Sequence, residues 1–192
     1  MQKKEIPVAS LAVEVGLSDG ILVLRPKAAE MLDLSKKTIG SVLYGDILVC
    51  NFAGIVDCSS SFVDEFVVGW QRIVSQAENA MLILINFNPD VRYTIEAALN
   101  QRNRISHENL CLIAQTDDQY EVLGRKIEKN VLQVFDLLAN GSHVTARLIA
   151  DRFGIELNSA GNRLKKLFDA HMALRSEQSV DAGGKYEYYI PK

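Results

Sequence analysis

Val144-Thr145-Ala146-Arg147-Leu148-Ile149-Ala150-Asp151-Arg152-Phe153-Gly154-Ile155 and, just beyond it, Ser159-Ala160-Gly161-Asn162-Arg163-Leu164-Lys165-Lys166-Leu167 carry two helical periods separated by a glycine. Thr145 has the hydroxyl to cap a short helix whose Leu148, Ile149 and Phe153 face inward. Gly154 tolerates the positive φ needed to leave that helix sharply, and Ile155 turns back into the core. Asn158 is a favourable N-cap for the next helix, Ser159–His171, with Leu164, Leu167 and Phe168 inward. Two short helices joined by a glycine-containing turn predict a helix-turn-helix.

Both flanks extend this unit. Upstream, Lys126–Ala139 is strongly amphipathic, with Ile127, Val131, Val134, Phe135 and Leu138 on one side. Asn140-Gly141 ends it in the manner of a helix C-cap. Downstream, Met172–Glu177 reads as a strand, Val180-Asp181-Ala182-Gly183-Gly184 as a loop tip, and the tyrosine-rich Lys185–Ile190 as a second strand. The order of helix, helix-turn-helix and β-hairpin, from Gly124 to the C-terminus, resembles the winged-helix regulators. Within it, Ser159–Leu167 resembles their recognition helix. The resemblance implies DNA binding through Asn158, Ser159, Asn162, Arg163, Lys165 and Lys166. Asn and Arg side chains suit base edges, and Lys and Ser suit phosphates. It also brings Arg175, Lys185 and Tyr186 of the wing to the backbone or minor groove. Two blander readings stay open: a solvated helix face, and a winged helix used for protein contact.

The first half alternates strand-like and helix-like segments. Leu11–Val15 and Gly20–Leu24 read as short strands joined by an Asp19-Gly20 hairpin turn. Lys27–Leu34 reads as a short helix with Ala28, Met31 and Leu32 on one side. Asp46–Phe52 and Ala80–Phe87 are continuous apolar runs expected of strands buried on both faces, and Asn109–Gln115 is a third core strand. Between them, Ser61–Gln76 carries Phe62, Phe66, Trp70 and Ile73 at helical spacing, and Val91–Arg102 is a further helix. The expected class is α/β, with a mixed sheet and flanking helices. The polar turn Thr116-Asp117-Asp118-Gln119 precedes a change of period, so the expected domains are residues 1–120 and 121–192.

Asp57-Cys58-Ser59-Ser60, between a buried strand and a helix, is similar to the STAS domain of anti-sigma-factor antagonists. Ser59-Ser60-Ser61-Phe62-Val63-Asp64-Glu65-Phe66 is closer still to STAS-like domains of unknown function. In the antagonists the residue after the aspartate is a serine that a partner kinase phosphorylates. Here that position is Cys58, and the usual glycine two positions later is Ser60. The resemblance therefore makes Cys58, Ser59, Ser60 and Ser61 candidates for phosphorylation or partner binding, with Ser59 or Ser60 as the remaining acceptors. The alternative is that Ser59–Ser61 merely cap the helix that follows, one hydroxyl accepting from an N–H two or three residues on.

Of 192 residues, 48% are hydrophobic and 23% charged, the mix of a globular protein rather than a disordered one. No apolar run reaches the ~18–20 residues that span a bilayer, and no leader pattern stands at Met1–Pro7, so a cytoplasmic location without membrane attachment is expected. Net charge is −3. From Thr116 onward cations and anions balance, which permits a DNA partner without demanding one. Cys50, Cys58 and Cys111 fit neither a disulfide framework nor a zinc pattern, and His107, His143 and His171 lack ligand spacing. No metal or cofactor is expected. The carboxylate of Asp57 raises rather than lowers a neighbouring thiol's pKa, which disfavours catalysis by Cys58 with His107. With no phosphate-cradling glycine loop either, an enzyme is not expected. The expected function is a DNA-binding transcriptional regulator. Its STAS-like domain would sense a protein partner, a phosphorylation or a ligand, and any homodimer would use a globular surface. The alternative is a protein-interaction adaptor whose winged helix docks protein.

Overall fold

The computed structural model describes residues 2–117, 119–177 and 185–191. The chain divides into two compact units, Met1–Arg125 and Lys126–Lys192. Among the described residues no helix is long and apolar enough to cross a membrane.

The first unit is α/β. Its elements are β1 (Lys3–Pro7), α1 (Val8–Glu14), β2 (Ile21–Leu22), α2 (Arg25–Ile39), β3 (Ile47–Asn51), β4 (Asp57–Cys58), α3 (Ser60–Val74), β5 (Met81–Ile85), α4 (Pro89–Ser106), β6 (Cys111–Thr116) and β7 (Gln119–Gly124). Five strands form one mixed sheet in the order β1-β3-β5-β6-β7. The first four are parallel, and β7 returns antiparallel to β6. Every parallel crossover steps to the next strand in the same direction. Right-handed connections then put the crossover helices on one face. The core agrees: Leu48, Cys50, Leu82, Leu84, Leu112 and Ala114 belong to one buried cluster with the apolar sides of α1, α2, α3 and α4. In β3, Ile47 and Val49, which point the other way, are buried as well.

Leu11–Glu14 is helix, not strand, and Val15 is its C-cap. Its apolar residues alternate as a strand's would, but the buried set is Val8, Leu11, Ala12 and Val15, at helical spacing, and Val13 is 71% exposed. Asp19-Gly20 does turn, with φ of 61° and 68°. It feeds no hairpin, because β2 pairs in parallel with β4, Ile21 opposite Asp57 and Leu22 opposite Cys58. The helix expected over Lys27–Leu34 runs longer, from Arg25 to Ile39, with Pro26 in its first turn. Asn88 caps α4 by accepting from the Val91 N–H at 2.9 Å.

The division between units falls after Arg125 rather than near residue 120, because β7 completes the sheet of the first unit. Gly124 closes that strand at φ 95°, and a Cβ there would stand 2.7 Å from the Leu110 carbonyl oxygen.

The second unit contains α5 (Lys129–Ala139), α6 (Ala146–Phe153), α7 (Leu157–Asp169), β8 (Leu174–Glu177) and β9 (Tyr186–Tyr189). β8 and β9 are antiparallel. Val144 adds a short third edge by exchanging both backbone hydrogen bonds with Tyr188, at 2.9 and 2.8 Å. Val131, Val134, Phe135, Leu138, Ile149, Ala160, Leu164, Leu167, Leu174 and Ile190 are buried. The loop tip expected at Val180–Gly184 lies outside the described residues.

Candidate functional site

The Thr145 hydroxyl accepts from the Leu148 N–H at 3.2 Å and fixes the start of α6. Gly154 ends that helix in the left-handed region, φ 62° and ψ 40°, and the Ile155 N–H returns to the Ala150 carbonyl at 3.1 Å. Two sequence expectations change here. Leu148 does not face inward but is 43% exposed, because the buried stripe of this eight-residue helix is set by Ile149 and Ala150. The second helix begins earlier than expected: Glu156 is its N-cap, without a side-chain cap bond, so Asn158 lies inside the first turn.

In α7 the buried residues are Ala160, Leu164 and Leu167. At about 3.6 residues per turn, the opposite side carries Asn158, Asn162 and Asp169, flanked by Ser159, Lys165 and Lys166, and all six are exposed. Arg163 is half-buried at the side of the helix. Its guanidinium lies 5.8 Å from the Phe153 ring centroid, with Nη1 3.5 Å from the Asn130 carbonyl oxygen. Two cations of the exposed side have partners within the unit, Lys165 on Asp169 and Lys166 on Glu128. Residues 126–192 hold ten Lys+Arg against eight Asp+Glu, a net +2 within a chain of net −3.

The hairpin residues gather at the end of α7. The Arg175 guanidinium is sandwiched between Phe168, at 3.9 Å, and Tyr186, at 4.2 Å. Lys185 Nζ sits 5.1 Å from the centroid of the Tyr186 ring. His143 stacks on Tyr189 at 4.9 Å and reaches Glu187 at 3.2 Å.

A second cluster lies in the first unit, where β4 leads into α3. Ser59 is the N-cap, accepting from the Phe62 N–H at 3.2 Å, and its hydroxyl is 3.1 Å from that of Ser61. Ser60 is exposed. Cys58 is only 5% exposed, and burial together with the Asp57 carboxylate pushes its thiol up to about 12. Of the four residues the sequence puts in this site, Cys58 is therefore withdrawn from the surface. Beside the serines is a cleft of about 370 Å³, lined by Arg25, Ser60, Ser61, Asp64, Arg102 and Ser106 among others. Asp64 organises it, accepting from Arg25 and from Arg102 at 2.7 Å each. Glu65 holds Arg25 at 3.0 Å, and Glu108 holds Arg72 at 2.9 Å.

No family model, curated protein or solved structure matches the chain.

The chemistry of the two clusters follows from their geometry. The exposed side of α7 offers two amides, a hydroxyl and two ammonium groups, a set suited to hydrogen-bonding a polar, anionic surface. The serine loop offers an accessible hydroxyl, that of Ser60, at the positive end of a fifteen-residue helix. The arginines nearest it are occupied by carboxylates. Sequence reasoning placed the serines but missed Arg25, Asp64 and Arg102, which come from three different helices. The acidic residue after Ser-Phe-Val was the one visible trace of them.

Proposed function

We propose that the chain is a DNA-binding transcriptional regulator. In this reading residues 126–192 form a winged helix-turn-helix with α7 as the recognition helix and β8–β9 as the wing. Residues 1–125 are a STAS-like unit that receives the signal. The observation that carries the reading is the exposed side of α7, where Asn158, Ser159, Asn162, Lys165 and Lys166 stand together on the second helix of a glycine-turned pair. A recognition helix uses that position to enter the major groove with its N-terminal residues against base edges. Arg175, Lys185 and Tyr186 on the hairpin suit a wing that meets the backbone. In the first unit, exposed Ser60 at the start of α3 suits phosphorylation or the docking of a protein partner, while Ser59 is engaged as the cap.

The test is binding of the full chain to duplex DNA across a salt series. Each phosphate neutralised contributes about −0.9 to the slope of log K against log salt. Engagement of Lys165, Lys166, Arg175 and Lys185 gives a slope of about −4, and Lys165→Ala makes it shallower by about 1. A flat salt response with no binding at low salt overturns the reading. Ser60→Asp tests the signal, and unaltered DNA and partner binding by that variant leaves α3 with capping alone.

The pairing of Lys165 with Asp169 and of Lys166 with Glu128 favours a second reading, a protein-interaction adaptor. There α7 docks on a protein, and self-neutralised lysines lower the cost of burying that face. Capture of a protein partner that Asn162→Ala abolishes, together with absent DNA binding, selects the adaptor.

A further inference from the structure

We infer that α7 reads A·T base pairs, through Asn158 and Asn162 with Leu157 beside them, and not guanine through Arg163. This inference rests on the DNA-binding reading and adds the class of sequence recognised.

The commonest specific base contact is an arginine or lysine held bidentately on the O6 and N7 of guanine. The single arginine of α7 is turned away from that task, half-buried against Phe153 and the Asn130 carbonyl. The lysines of the exposed side are held by Asp169 and Glu128, and Asp169 shares the exposed side at the C-terminal end of the helix. Those paired lysines stand toward the C-terminal half of α7, where they suit phosphates. A recognition helix sets its N-terminal residues against base edges, which makes the N-terminal half the part that reads bases. That half carries Asn158 and Asn162 on one stripe. Neither has a side-chain hydrogen-bond partner among the described residues, and both are exposed. An amide matches the N6 donor and N7 acceptor of adenine. Four residues of helix rise by about 6 Å, close to two base-pair steps of about 3.4 Å, so two such amides address adenines within about two base pairs.

Two further residues agree. Leu157, in the same turn as Asn158, is 42% exposed and offers an apolar surface to a thymine methyl group. Gly161 lies between the asparagines, where a Cβ would meet nothing within 4 Å. Nothing inside the protein requires a glycine there. A helix that omits a side chain without an internal reason lets an outside surface approach its backbone.

The experiment is selection of bound sites by the full chain from a random-sequence duplex pool at fixed salt. It is repeated with Asn158→Ala, Asn162→Ala and Arg163→Ala. The expected result is an enriched core with adenines at two positions within about two base pairs. Each Asn→Ala variant loses the preference at one of them and binds the selected site roughly 5- to 150-fold more weakly. Its salt slope stays as in the parent, because an amide neutralises no phosphate. The replaced side chains are exposed, and an unchanged thermal midpoint establishes that the variants fold. A guanine core that Arg163→Ala abolishes overturns the inference, as does binding with no enriched sequence. In both of those outcomes the DNA-binding reading stands. Absence of any DNA binding at low salt overturns both.

Discussion

Gly161→Ala is expected to make the second unit more stable, by an amount that can be worked out beforehand. Glycine in a helix interior is less favourable than alanine by roughly 0.5–1 kcal/mol, because it has more backbone freedom to lose on folding. Whether that gain is realised depends on the space for one methyl group. At Gly161 a Cβ meets no heavy atom within 4 Å, and φ is not positive, so no clash or backbone strain offsets the gain. For a domain of this size about 1 kcal/mol moves the midpoint by roughly 4–8 °C, and the expected rise is about 2–8 °C. The assay is thermal unfolding followed by far-UV circular dichroism, with a urea titration on the same samples. The same substitution at Gly154 is the control of opposite sign. A Cβ there also meets nothing, but φ is 62°, and an L residue in the left-handed region costs about 1–2 kcal/mol. A midpoint for Gly161→Ala at or below that of the parent would refute the reasoning, since only an unseen contact or a frayed helix could cancel the gain.

Three other outcomes are expected. Ser35→Ala removes the hydroxyl that accepts from buried Trp70 Nε1 at 3.1 Å; leaving that N–H unpaired costs about 1–3 kcal/mol, read as a lower urea midpoint, and an unchanged midpoint would mean the indole finds another acceptor. Burial raises the thiols of all three cysteines, Cys58 to about 12 and Cys111 to about 11, so a thiol reagent at pH 8 should label the native chain far more slowly than the urea-unfolded chain, and equal rates would contradict this. Burial works to raise the pKa of Asp46, but the Lys4 ammonium at 2.7 Å and the Leu43 N–H prevail and hold it below the usual carboxylate range. A depressed folded pKa gives stability that is present above the ordinary value of about 3.9 and lost as pH falls through the folded one. Asp46→Asn is therefore less stable than the parent at pH 7, with the gap closing in acid, and a gap independent of pH would exclude the ion pair as its source.

What could be read in the sequence divides along physical lines. The continuous apolar runs became β3, β5 and β6, and the dense stripes became α3 and α5, because burial on that scale leaves one period that fits. Short segments misled. Leu11, Val13 and Val15 alternate like a strand, and only the sheet's demand for Val8, Leu11 and Ala12 on one side makes them helical. β1 and β7 escaped notice because edge strands bury little: in Lys3–Pro7 only Ile6 is fully covered. At the candidate site the residues of α7 were correctly gathered onto one helix, but their directions were not legible. Arg163 and Asn162 are neighbours in sequence and stand on different sides of the helix, one against Phe153 and the other facing outward. The grouping of Arg25, Asp64 and Arg102 depends on three helices meeting, which no local pattern encodes.

The Arg175 sandwich has a mechanical consequence. A flat cation held between Phe168 on the last turns of α7 and Tyr186 on β9 fastens the stem of the hairpin to the helix. Each such contact contributes about 0.5–1 kcal/mol toward holding the two elements at one spacing. A partner that touches both finds them already in register. For any surface that meets both, part of the entropy of aligning helix and hairpin is lost at folding rather than on contact.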